Sequence, residues 1–224
     1  MNQLSEIDSQ PLSMVVCNHL ICRTCGIIDR DRGRLSKGHR CSTCNAEGDG
    51  GVAVFSVNIW VLVDLLQQAF HSQSPTGPLD APQGNSVGTI LYFCTLREAL
   101  LNTFLLGNLR ARHVPAPLVE KLMEDNKLAS QKFGGLFTSV VGTKWEVAVS
   151  TVSASTGSDF QSVSQRMRTA AELRNEFLHE GRAWGMTYEF AKECVDSVGG
   201  LVRLFVALNN EYTHPILRNA TQLG

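Results

Sequence analysis

The chain has 224 residues, 43% of them apolar, with 20 Lys and Arg against 21 Asp and Glu and a formal charge of −1. That length supports one good core and a small appendage, while the even charge balance excludes a globally basic polyanion binder. Seven cysteines, an odd number gathered mostly early, and the polar, acidic start MNQLSEIDSQ argue against a secreted disulfide framework and against a signal peptide.

A soluble cytoplasmic protein is therefore expected. The run from Val52 to Leu66 is the most apolar by eye, but Asn58 and Asp64 interrupt it and it is too short to span a bilayer, so no membrane partner is expected.

In chain order, the first informative segment holds Cys22-Arg-Thr-Cys25-Gly26 and Cys41-Ser-Thr-Cys44-Asn45, two C-x2-C knuckles fifteen residues apart. Each is followed by a residue that tolerates positive φ, which lets backbone amides turn toward the thiolates. Four thiolates at this spacing close a tetrahedral site around zinc, and with every position filled by protein the ion is structural rather than catalytic. Disulfides are the competing reading, disfavoured in a reducing compartment. Val15-Val16 before the first knuckle and Ile27-Ile28 after it have strand character, so 1–50 is expected to be a zinc ribbon. Cys17 and His19 lie close enough to compete as ligands and are read as a strand residue and a polar loop residue.

Arg30, Arg32, Arg34, Lys37 and Arg40 fall between the knuckles without an aromatic among them. They form either a solvated loop, partly balanced by Asp29 and Asp31, or a phosphate-contacting surface; base-specific reading is not expected. Gly48 to Gly51 reads as a hinge and Val52 to Phe55 as a last ribbon strand. Ser56 then caps a connecting helix, 51–71, that runs through Ile59, Trp60, Val63, Leu66 and Phe70. Ser, Pro, Gly and Gln dominate 72–88, which reads as a linker and domain boundary.

From 89 to 215 the pattern is helical. Thr89 to Arg112 carries Leu91, Cys94, Leu96, Leu100, Leu101, Phe104 and Leu105 as a core face. Arg97 and Glu98 within it are either a surface ion pair or cleft residues. Pro115 and Pro117 open a second helix that Phe133-Gly134-Gly135 breaks. A looser third element spans Leu136 to Val152, and Ser153 to Ser158 reads as a flexible loop. The last helix runs from Thr187 to Glu211, with Gly199-Gly200 allowing close packing, and ends at Pro215. Cys94 and Cys194 read as core.

Between these lies Asp159 to Gly181, a helix with Phe160, Val163, Met167, Ala170, Ala171, Phe177 and Leu178 at spacings of three and four. Gly181 suits a left-handed cap. Asn175 and His179 stack one turn apart, and Arg174 lies beside them. A guanidinium fork for phosphate, an amide and an imidazole that exchanges protons near neutrality suit handling of a phosphodiester. The spacing alone recurs by chance: Arg34 and His39 show it in a segment that is not helical.

Arg174-Asn175-x-x-x-His179, late in a long helix of a helical domain, resembles the R-x4-6-H motif of HEPN domains, over roughly residues 88–215. The resemblance implies a mainly α protein, a β zinc ribbon followed by a HEPN-like helical bundle. It further implies a metal-independent endoribonuclease that acts on RNA as a homodimer, with Arg174, Asn175 and His179 as catalytic residues facing their symmetry mates. Toxin or phage-defence roles, with a silencing antitoxin or an activating partner, are common in the family. A non-catalytic HEPN-like module binding RNA, a nucleotide or a partner is the alternative.

Overall fold

The computed structural model describes residues 19–29, 40, 41, 43–47, 52–72 and 81–217, and the chain there is mainly helical. The expected strand at Val15-Val16, the spare ligand Cys17, the loop residues Arg30, Arg32, Arg34, Lys37 and His39, and the hinge at 48–51 lie outside the described residues. Three two-residue strands, β1 (Leu20–Ile21), β2 (Ile28–Asp29) and β3 (Val52–Ala53), form an antiparallel sheet in the order β2-β1-β3. Leu20 pairs with Asp29 on one side and with Ala53 on the other.

Seven α-helices of five residues or more follow among the described residues: α1 (Val57–His71), α2 (Gly84–Ala111), α3 (Ala116–Asp125), α4 (Phe137–Val141), α5 (Trp145–Thr156), α6 (Phe160–Glu180) and α7 (Tyr188–Leu208). They belong to two compact units interleaved in sequence. The first holds the described residues of 55–97 and 163–202, the second those of 19–54, 98–162 and 203–217.

In the first unit, α1 buries Ile59, Val63 and Leu66, a stripe at helical spacing. Trp60 is 42% exposed, because it sits about 100° around the helix from Ile59. Phe70 stacks on Tyr188 with ring centroids 5.1 Å apart. α2 starts at Gly84, inside the stretch expected to be linker. Its residues Ile90, Phe93, Cys94 and Leu96 are buried, as are Met167 and Ala170 of α6 and Cys194, Val198 and Leu201 of α7. Burial pushes the Cys194 thiol up, so it behaves as an apolar residue. At Gly200 a Cβ would come 2.9 Å from the Val163 side chain, so glycine lets these two helices approach; Gly199 has open space.

The second unit is built around five aromatic rings. Phe133 and Phe137 each meet Trp145 edge-on, at 4.7 and 5.2 Å, while Phe205 lies 5.9 Å from Trp145. Phe104 of α2 completes the group, 5.8 Å from Phe137 and 6.4 Å from Phe205. Several boundaries differ from expectation here. Phe133-Gly134-Gly135 does not break the chain but forms a π-helical turn, Lys132–Leu136, that leads into α4. The single looser element expected over Leu136 to Val152 is two helices, because Gly142 takes φ +85° and ends α4. The loop expected at Ser153 to Ser158 is mostly the end of α5, which Gly157 stops at φ +66°. The last helix does not run unbroken to Pro215: α7 ends at Leu208, and a π-turn, Asn209–Thr213, leads into helical residues 214–217.

That turn is where the sheet is held. Asn210 Oδ1 accepts the Ile28 N–H at 2.9 Å, and its Nδ2 donates to the Ile28 carbonyl at 2.9 Å, so one side-chain amide continues the edge of β2. Asn209 Nδ2 donates to the Gly26 carbonyl at 3.1 Å. Asn108 of α2 donates to Thr213 Oγ1 and accepts from Arg112 Nε.

The 28-residue α2 is long and apolar enough to cross a membrane by length and composition, and half of its most apolar window is buried inside the protein.

Candidate functional site

Two places carry chemistry, and the first is the four-cysteine cluster. The knuckles share one backbone plan. Cys22 N–H donates to the Ile27 carbonyl and Gly26 N–H to the Cys22 carbonyl; Cys41 N–H donates to the Ala46 carbonyl and Asn45 N–H to the Cys41 carbonyl, all at 2.8–2.9 Å. The two loops can close this tightly because Gly26 and Asn45 take φ of +74° and +60°. At Gly26 a Cβ would meet the end of the Leu217 side chain, which would have to move to admit it.

The loops bring Cys22 to 3.8 Å from Cys44 and Cys25 to 3.8 Å from Cys41, sulfur to sulfur, and all four sulfurs lie within 4.8 Å of one another. A disulfide needs about 2.0 Å, whereas four thiolates about 2.3 Å from a central metal stand about 3.8 Å apart. All four cysteines are free thiols. Their geometry and donor chemistry therefore fit a metal ion.

Burial pushes the Cys25 and Cys44 thiols up, although the amides of Ile27 and Ala46 point at their sulfurs. At Cys41 burial also opposes ionisation, but the amides of Cys44 and Thr43 and the neighbouring thiols outweigh it, and its pKa is lowered to about 7. A positive ion between the sulfurs would remove the conflict by favouring the charged form of all of them. His19, read as a polar loop residue and a competing ligand, is buried at 2% exposure outside this group, with its carbonyl accepting from Val54.

The second place is the C-terminal half of α6. Asp159 starts the helix by accepting from the Ser162 amide at 3.0 Å and from its hydroxyl, and this bonding lowers the carboxyl pKa. Phe160, Val163, Met167 and Ala170 are buried. From Ala171 to Glu180 no residue of the helix is buried. Ala171 and Phe177, apolar residues of the same spacing, are half-buried, and Leu178 is 55% exposed. Arg174 is half-buried, whereas Asn175 and His179 are exposed, one turn apart on one face. Gly181 closes the helix at φ +69°, its N–H bonded to the Phe177 carbonyl at 3.0 Å.

Arg97 is 6% exposed rather than a solvated surface residue, and its Nη1 donates to the Met167 carbonyl at 2.9 Å. The guanidinium thus ties α2 to α6 two turns ahead of Arg174. No family model, curated protein or solved structure matches the chain.

Two features had escaped the sequence reading. Trp184 is 76% exposed on the turn after His179, a turn fixed by buried Met186 and by Gly185 at φ +88° against Leu173. A lone tryptophan between two glycines was its signal. The Asn209-Asn210 pair, which closes an apolar helix with two amides, was the signal for the docking of the sheet.

Proposed function

We propose that this chain is a HEPN-type endoribonuclease whose site is composed from two copies, steadied by a structural zinc in its cysteine cluster. One observation carries the reading: a half-buried arginine and an exposed Asn175–His179 pair share the bare end of a long helix. Exposed Leu178 and Trp184 beside them are apolar surface of the kind a second copy would cover.

In the composite site one His179 takes the proton of a ribose 2′-OH, and that oxygen attacks the adjacent phosphorus. The His179 of the second copy protonates the departing 5′-oxygen. Arg174 stabilises the charge that builds on the phosphate oxygens, and Asn175 orients the ring or a phosphate oxygen. The products are a 2′,3′-cyclic phosphate and a 5′-OH. A silencing or activating partner would act by covering or completing this seam.

Zinc is the proposed ion because an all-thiolate tetrahedron without an open position suits a structural, redox-inert metal; iron is the competitor that the same geometry admits. Elemental analysis of the purified protein decides between them.

The enzymatic reading is tested by incubating wild type, Arg174→Ala and His179→Ala with tRNA and mRNA in EDTA and mapping the ends. Wild type should leave cyclic phosphates, and each variant should lose about 10²–10⁴-fold in rate. If His179→Ala cleaves as wild type does, the reading is wrong. RNA retention without cleavage over long incubation would assign a non-catalytic binding module instead.

A further inference from the structure

We infer that the stretch Leu-Ser-Glu-Ile-Asp at 4–8 of this chain docks on the uncovered end of α6 and masks Arg174 until RNA and a second copy displace it. The masking rests on the nuclease reading above, whereas the docking does not.

The docking face is a core stripe that outruns its core. Val163, Met167 and Ala170 are buried along one side of α6. Arg174, Phe177 and Leu178 continue that side at spacings of three and four. There the burial stops: Arg174 and Phe177 are half-buried, and Leu178 is 55% exposed. The turn that follows is pinned by Gly185 against Leu173 and by buried Met186, so the stripe is presented on a fixed helix end.

A stripe of this kind fits an apolar segment that carries acid. Phe177 and Leu178 call for apolar side chains, and the guanidinium between the core and Leu178 calls for a carboxylate. The exposed acids of the same helix end, Glu172, Glu176 and Glu180, form a separate row on the far side of the helix from Arg174. A second copy by itself meets the face poorly, because a two-fold pairing brings the same patch to both sides and turns one Arg174 toward the other. In the nuclease reading a phosphate separates the two guanidinium groups. Without RNA, carboxylates of the chain itself can take that place.

Charge selects the segment. Among the stretches outside the described residues, 30–39 and 218–224 carry Arg or Lys, while 48–51 and 73–80 hold a single acid each. Residues 1–18 hold Glu6 and Asp8 with no Lys or Arg, and Leu4 and Ile7 alternate with those acids. The chain from Asp8 to His19 spans up to about 36–40 Å when extended, so the segment is not confined to the sheet that it leads into.

Hydrogen exchange of the full-length protein without RNA, read by mass spectrometry on peptides covering 171–181, tests the docking. Glu6→Arg/Asp8→Arg should speed exchange there about tenfold over wild type, and Leu4→Ser/Ile7→Ser, which keeps both acids, should do the same. A photo-crosslinking benzoylphenylalanine in place of Ile7 should join a peptide within 171–181 of the same chain. Unchanged exchange in both variants, or a crosslink only elsewhere, would overturn the docking. Protection that rises with protein concentration alike in wild type and variants would assign the face to a second copy and overturn it too. RNA cleavage is read separately, and both variants should cleave about tenfold faster than wild type. Equal cleavage beside altered exchange would overturn the masking. Altered exchange with no cleavage by any of the proteins would uphold the docking and count against the nuclease reading alone.

Discussion

The cysteine knuckles and the end of α6 are both short motifs, yet they stand differently in the molecule. Each knuckle is a closed circuit: amides within a few residues point at the sulfurs, and positive φ at Gly26 and Asn45 makes the loop. Its four sulfurs find one another inside the same chain. The Arg174–His179 segment has no such closure, since Asn175 and His179 face outward from a helix end with nothing buried after Ala170. A metal site is complete when its donors converge, whereas a phosphodiester site needs an acid, a base and a charge on opposite sides of one phosphorus. The first is built by one local fold; the second, in the function proposed above, is completed by a second copy.

That contrast can be broken most directly at Cys25. Cys25→Ser should abolish stoichiometric metal binding and unfold the β1–β3 region, because apparent metal-binding energies of about 10–16 kcal/mol in small thiolate sites are also folding energy. Elemental analysis and proteolysis between residues 19 and 54 would check this, and a Cys25→Ser protein that keeps its metal would refute the assignment. His179→Ala, by contrast, should leave the melting temperature within a degree or so of wild type, as expected of an exposed residue outside any core.

A smaller effect is expected at the attachment of the sheet. Asn210→Ala removes both hydrogen bonds to Ile28 and leaves its N–H and carbonyl poorly paired, which should cost about 1–3 kcal/mol in denaturant unfolding. Metal content should stay the same, because the amide touches no sulfur. Loss of metal in this variant would show that the knuckles depend on the helices and would erase the contrast drawn above.

The smallest effect is at Asp159. Its carboxyl pKa is lowered by bonding to Ser162, so the ionised form is favoured in the folded helix. The stabilisation is fully present above the ordinary aspartate value near 4 and is lost as pH falls through the lower, folded value. Asp159→Ala should therefore reduce the melting temperature slightly at pH 7, and the difference from wild type should shrink as the pH falls from about 4. A difference that stays constant to pH 2 would remove Asp159 from the capping role.

Much of the local plan was legible before any coordinates. The cysteine spacing named the cluster, Pro115 and Pro117 named the start of α3, and Gly181 named the end of α6. The misses share a cause. Gly142 and Gly157 each act as a left-handed stop, while Gly134-Gly135 is absorbed into a π-turn, and a glycine by itself does not say which. Phe177 and Leu178 keep the helical period of a buried face, although among the described residues Phe177 is only half-buried and Leu178 is exposed. Arg97 has the composition of a surface residue, but its guanidinium is drawn into the first unit by a helix carbonyl seventy residues away.

The sequence by itself determined what adjacent residues settle among themselves: which segments coil, where they are capped, and which four thiols are spaced to share an ion. Tertiary structure alone decided which apolar faces are covered, that Asn209 and Asn210 reach back to the sheet, and that Asn102 Oδ1 ends buried with no hydrogen-bond partner among the described residues. The physical reason is range. Capping and turn chemistry act over a few residues, whereas burial and hydrogen-bond partnership depend on segments about 180 positions apart being brought into contact.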